Sequence, residues 1–175
     1  MNSSLTDFLK LNNINMDVLY DALHKDILES ILSKICEYMK ANDSADETMR
    51  NIYFRNSNDI DAAKQIVRHV CQLSLAEQDY LWLNDCIKAH MKKKPRRKQL
   101  PDSLRQELWK KQKQKCYICG RVLLSEEGHI DHIVPWDYVG DELDNNYQLL
   151  CSDCNYHKSN HVALAVHSLI FKTIR

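Results

Sequence analysis

Over the first ninety residues, apolar positions recur at steps of three and four, the spacing that gathers them on one face of an α-helix. Val18, Leu19, Ala22, Leu23, Ile27, Leu28, Ile31, Leu32, Ile35 and Met39 make one such stripe, which predicts a helix of about seven turns. Asp59 is expected to open a second helix, with Ile60, Ala63, Ile66, Val67 and Val70 turned inward. Ser74-Leu75-Ala76-Glu77 has the form of a capping box, ahead of a third helix carrying Leu81, Trp82, Cys86 and Ile87 on its apolar face. Residues 43–57 read as a short helix plus loop. All three glycines and all three prolines lie beyond residue 94, and a stretch without either breaker favours helix.

The second half has a different pattern. Met91 to Pro101 combines a charge run with two prolines, so it reads as a linker or extended arm. A short helix is expected from Asp102 to about Gln114, with Leu104, Leu108 and Trp109 on one side. Gly128 to Pro135 reads as a strand closing at a proline. Val162, Ala163, Val166, Leu169 and Ile170 predict a terminal helix that packs on something. The expected organisation is a helical domain over 1–90 for partner docking or dimerisation, a basic linker over 91–101, and a compact module over 102–175.

Composition adds a bound. A hydrophobic fraction of 44% with 27% charged residues is enough to bury a core. The start MNSSLTDFLK has no basic-then-apolar pattern of a signal peptide, and no run nears the roughly 18 apolar residues of a membrane span. A cytoplasmic protein with no membrane contact is the expectation. Seven cysteines in that compartment point to metal or to buried thiols rather than to disulfides. Cys36, Cys71 and Cys86 fall on or beside the apolar stripes, where they serve as small hydrophobes.

The net charge of zero hides an asymmetry. Residues 1–90 hold nine Lys/Arg against fourteen Asp/Glu, a net of −5, and residues 91–175 hold fifteen against ten, a net of +5. Lys92, Lys93, Lys94, Arg96, Arg97 and Lys98 open the basic part. Such a run is a solvated face when it stands alone, and a phosphate-contacting surface when it adjoins nucleic-acid chemistry.

The remaining cysteines stand in two pairs, Cys116-Tyr-Ile-Cys119 and Cys151-Ser-Asp-Cys154. Four thiolates at this spacing can close a tetrahedral structural zinc site, which supplies folding free energy to a small unit. Between the pairs runs Gly128-His-Ile-Asp131-His132-Ile-Val-Pro135, then Asn145-Asn146-Tyr-Gln-Leu-Leu150, and after the second pair Asn155-Tyr-His-Lys158. Hydrolysing a phosphodiester needs a base for water and a cation for the leaving oxygen. His132 is the natural base, because imidazole exchanges protons near neutrality. Asp131 and Asn155 offer oxygen ligands, which favour magnesium or manganese over zinc. The two neighbours Asp131 and His132 face opposite sides of a regular strand, so sharing one site requires the strand to end or kink between them.

This composite resembles the HNH endonuclease family, in particular its cysteine-bearing, McrA-like branch, over about residues 100–160. The resemblance implies a mainly α protein with an N-terminal helical bundle and a C-terminal zinc-stapled ββα-metal nuclease module. It implies Asp131 and Asn155 as holders of the catalytic ion, His132 as base and Asn146 as the residue that orients it. Asn155 stands where some members carry histidine, which favours magnesium. Lys158 is expected on a phosphate, as is the basic run 92–98. His129, or His157 with His161, are weaker ligand candidates. The implied substrate is DNA, cut to leave 5′-phosphate and 3′-hydroxyl ends. By analogy the chain is the nuclease effector of a bacterial restriction or anti-phage system gated by a partner such as an ATPase sensor, with a homodimer also open. The alternatives are a non-catalytic zinc-dependent nucleic-acid-binding module and a phage or mobile-element nicking enzyme.

Overall fold

The structure is a computed structural model that describes residues 3–41, 51, 60–161 and 164–173. It is mostly helical, with one two-stranded sheet. In chain order the elements are α1 (Ser3–Leu11), α2 (Met16–Ala41), α3 (Ile60–Cys71), α4 (Glu77–Lys92), α5 (Asp102–Lys111), a single 3₁₀ turn at Ser125–Glu127, β1 (His129–His132), α6 (Trp136–Val139), β2 (Tyr147–Leu150), α7 (Ser152–Lys158) and α8 (Ala165–Thr173). Residues 43–57, expected as a short helix plus loop, lie outside the described residues except for Asn51. No described helix is long and apolar enough to cross a membrane.

The chain divides into two compact units that interleave along the sequence. One comprises Met1–Ile27, Gln99–Ile133 and Tyr147–Arg175, the other Leu28–Lys98 and Val134–Asn146. The second is helical. Its core gathers Ile31, Leu32, Ile35 and Met39 of α2, Ala63, Ile66 and Val67 of α3, and Leu83, Cys86 and Ile87 of α4, together with Val134 and Val139. Cys36 and Cys86 are fully buried and Cys71 is partly so. Burial pushes the Cys36 thiol up to about 12 and raises Cys71 and Cys86 as well, since a thiolate has no water there to solvate it.

Three expectations need correction. The apolar stripe of α2 is buried only from Ile31 onward; Val18, Leu23 and Ile27 are exposed. On α4, Leu81 is exposed and Tyr80 and Leu83 take the inward positions. The capping box does not form either. Ala76 is the N-cap and no side chain caps the helix, while the Tyr80 hydroxyl accepts the Leu75 amide at 3.0 Å. A tyrosine anchored in the core fixes that turn in place of the serine.

In the first unit, β1 and β2 pair antiparallel, with Asp131 opposite Gln148 and His132 opposite Tyr147. Its core is Leu108, Ile118, Leu123, Leu149 and Leu150 with Cys116, Cys119 and Cys151. Helix α5 docks on it through Trp109, whose indole N–H donates to the Leu123 carbonyl at 2.8 Å. Gln112 then clips onto β2 as a missing strand would. Its Nε2 donates to the Leu149 carbonyl at 2.9 Å and its Oε1 accepts the Leu149 amide at 2.8 Å. Helix α8 begins on a carboxylate, as Asp26 accepts the amides of Ala165 and Val166 at 2.7 and 3.1 Å.

Gly128 shows how tightly β1 enters this core. A Cβ added there would lie 2.5 Å from Leu149 Cδ2 and 2.6 Å from its Cγ, and Leu149 is fully buried. Overpacking of this kind costs about 1–3 kcal/mol. Gly128→Ala is therefore expected to lower the melting temperature by several degrees; a melt superimposable on the wild type would show that Leu149 can yield.

Candidate metal centre and nuclease site

The first knuckle turns on Gly120, which adopts φ +73°, a left-handed conformation that a side chain resists. The Gly120 amide donates back to Cys116 at 2.9 Å, and the Cys116 amide to Arg121 at 2.8 Å, closing the loop that carries both sulfurs. The second pair is set by a helix start. Cys151 is the N-cap of α7 and Cys154 lies in its first turn. All four Sγ atoms lie within 4.8 Å of one another, with Cys119 and Cys151 at 3.8 Å. Four sulfurs around zinc at about 2.3 Å would stand roughly 3.8 Å apart, so the donor set fits that ion. Burial works against the Cys119 thiolate, but amide and thiol hydrogen bonds outweigh it and bring this thiol down to about 7. Burial raises its partners Cys116 and Cys154. A cavity of about 650 Å³ opens beside the sulfurs, and His157 and His167 line it.

On the sheet, the side chains of Asp131 and His132 leave in two directions. Asp131 Oδ2 accepts Gln148 Nε2 at 2.8 Å and Lys158 Nζ at 2.9 Å. Lys158 also donates to the His132 carbonyl at 2.7 Å. The His132 ring instead packs on Tyr147, with centroids 4.9 Å apart at 56°. The strand runs on through His132 without ending between the two residues. Asp131 therefore meets α7 on one face while the His132 ring lies with Tyr147 on the other. His132 is buried, at 8% exposure. Asn155 sits one turn before Lys158 on α7, partly buried. That spacing puts both on one face of the helix.

Asn146 acts on the backbone. Its Oδ1 accepts the Val134 amide at 2.7 Å and its Nδ2 donates to the Val134 carbonyl at 2.9 Å, both fully buried. This clip closes residues 134–146, two positions after His132 in the chain. Neighbouring Asn145 takes the left-handed φ of +54° that the turn demands.

Within the basic run only Lys93 is drawn partly out of solvent. Lys93 donates to the Asp137 carbonyl at 2.9 Å, and Lys93 and Arg97 lie 4.6 and 5.2 Å from the centre of the Trp136 ring. Lys98 donates its amide to Asp141 and its ammonium to the Asp141 carbonyl. Lys92, Lys94, Arg96, Arg97 and Lys98 are exposed. His129, His157 and His161 are exposed as well, and among the described residues only the four cysteines gather as a group of three or more His, Cys, Asp or Glu ligands.

Two residues of the site escape sequence reasoning. Gln148 carries no signal of its role in the sequence, and Lys158, expected on a phosphate, is only 5% exposed and bonds Asp131 instead.

Residues 116–161 match the family model described as HNH endonuclease. This segment is an HNH domain. It holds both knuckles and both strands, and membership supports nuclease activity in general. Neither the curated proteins nor the solved structures return a match to the chain.

Proposed function

We propose that the protein is a metal-dependent DNA endonuclease in which zinc shapes the HNH domain and a hard divalent cation serves cleavage. The observation that carries this is the HNH match over residues 116–161, which encloses the four-cysteine cluster and the neighbours Asp131 and His132. In-line displacement puts the attacking water and the departing oxygen on opposite sides of phosphorus. A base and a cation holder must therefore reach one phosphate from two sides, which Asp131 and His132 can do only from the end of β1, where the strand stops at His132. Asp131 and Asn155 would hold magnesium or manganese. Bound there, the cation would stabilise charge on the leaving oxygen.

His132 takes the proton of the attacking water, and its packing on Tyr147 limits how far the ring can turn. Asn146 orients the base indirectly, by fixing Val134 and hence the chain that leaves the strand. Lys92, Lys94 and Arg96 supply phosphate contacts that read no sequence. The zinc is held by Cys116, Cys119, Cys151 and Cys154. For residues 1–90 the proposed role is docking, to a partner subunit or a second copy. By analogy, that partner is an ATPase sensor in a cytoplasmic defence system.

The test is conversion of supercoiled plasmid by the zinc-loaded protein. Nicked or linear product is expected with magnesium or manganese and none with a chelator. A zinc-loaded protein that retains plasmid but cuts with neither ion, alone or with proteins that copurify with it, would favour the non-catalytic binding module.

A further inference from the structure

A lysine is rarely as buried as Lys158 unless it is paired, and its partners are unusual for a residue expected at a phosphate. Its ammonium lies 2.9 Å from Asp131 Oδ2 and 2.7 Å from the His132 carbonyl. Gln148 bonds the same carboxylate oxygen. The carboxylate expected to hold the catalytic cation thus already has a cation of the chain's own. Both bonds fall on Oδ2, so Oδ1 is the oxygen left toward a metal. An ion there would sit beside a positive charge with little water between them to screen it.

We propose that Lys158 is a resident counter-cation of Asp131 that competes with the catalytic metal and so sets the metal concentration at which the site fills. This rests on the reading of Asp131 as a cation ligand. A purely structural tie would stabilise the fold and leave metal affinity alone or weaken it when cut. A competitor does the opposite: removing its charge tightens the site.

The experiment measures Mn2+ binding to the zinc-loaded full chain by calorimetry, for the wild type, Lys158→Met, Lys158→Arg, Asp131→Asn and the double variant Asp131→Asn/Lys158→Met. Lys158→Met should lower the Mn2+ dissociation constant by at least about tenfold, while Lys158→Arg, which keeps the charge, should not. The double variant should bind no tighter than Asp131→Asn. Lys158→Met leaves a carboxylate without its partner, so its melting temperature should fall and then recover with Mn2+ more than the wild type gains. If that variant does not fold, Lys158→Gln, which keeps a donor for the His132 carbonyl but not the charge, should tighten Mn2+ binding as well. Binding by Lys158→Met equal to or weaker than wild type, with the wild type binding normally, overturns the proposal and leaves the nuclease reading intact. Absence of Mn2+ binding throughout the set overturns both.

Discussion

Removing zinc, by a strong chelator or by Cys151→Ser, is expected to unfold the unit built on β1 and β2. Three of its eight best-buried core residues are the cysteines Cys116, Cys119 and Cys151. Without the ion they leave buried thiols held only by weak sulfur hydrogen bonds. Small zinc sites of this kind gain about 10–16 kcal/mol of binding free energy that is also folding free energy. A whole domain is stable by only about 5–15 kcal/mol, so the ion outweighs what this core can supply. The helical unit has a separate, metal-free core from Leu32 through Ile87. Chelation should therefore abolish the near-ultraviolet signal of Trp109 while much of the helical signal in the far ultraviolet survives. Retention of the Trp109 signal after the zinc is stripped would mean that the sulfurs need no metal.

The four-cysteine cluster is legible from sequence because ligand spacing is local: each pair closes within four residues, and only the meeting of the pairs is a tertiary event. Helix periods are legible for the same reason. What fails is the choice between adjacent faces. Leu81 and Leu83 are both apolar, and only the packing of α4 against α2 and α3 decides that Leu83 goes inside. Lys158 fails more instructively. A lysine after an Asn-x-x spacing suits a phosphate as well as a carboxylate. Its true partner, Asp131, is 27 positions away and is reached only because α7 folds back on β1. Gln148 and Gln112 are similar: a glutamine shows no sign in the sequence that its amide will bond a strand. Lys93, Arg97 and Lys98 belong to a run expected on phosphate, and they also hold Trp136 and Asp141.

The largest effects on activity should come from His132 and Asp131, and the two should fail differently. A positioned general base contributes about 10²–10⁴-fold, so His132→Ala is expected to lower the maximal cleavage rate by that factor. The metal concentration for half-maximal activity should stay near that of the wild type, because the His132 ring lies with Tyr147, away from the face where Asp131 meets α7. Asp131→Asn removes a charged oxygen from the cation. It should raise the metal requirement first, with part of the rate returning at high Mn2+. Zinc content near one per chain in both variants separates these effects from unfolding, since the cysteines are untouched. Titrating metal against plasmid cleavage for the three proteins checks both assignments together. If His132→Ala instead shifts the metal requirement at unchanged maximal rate, His132 belongs to the cation and another group must take the proton.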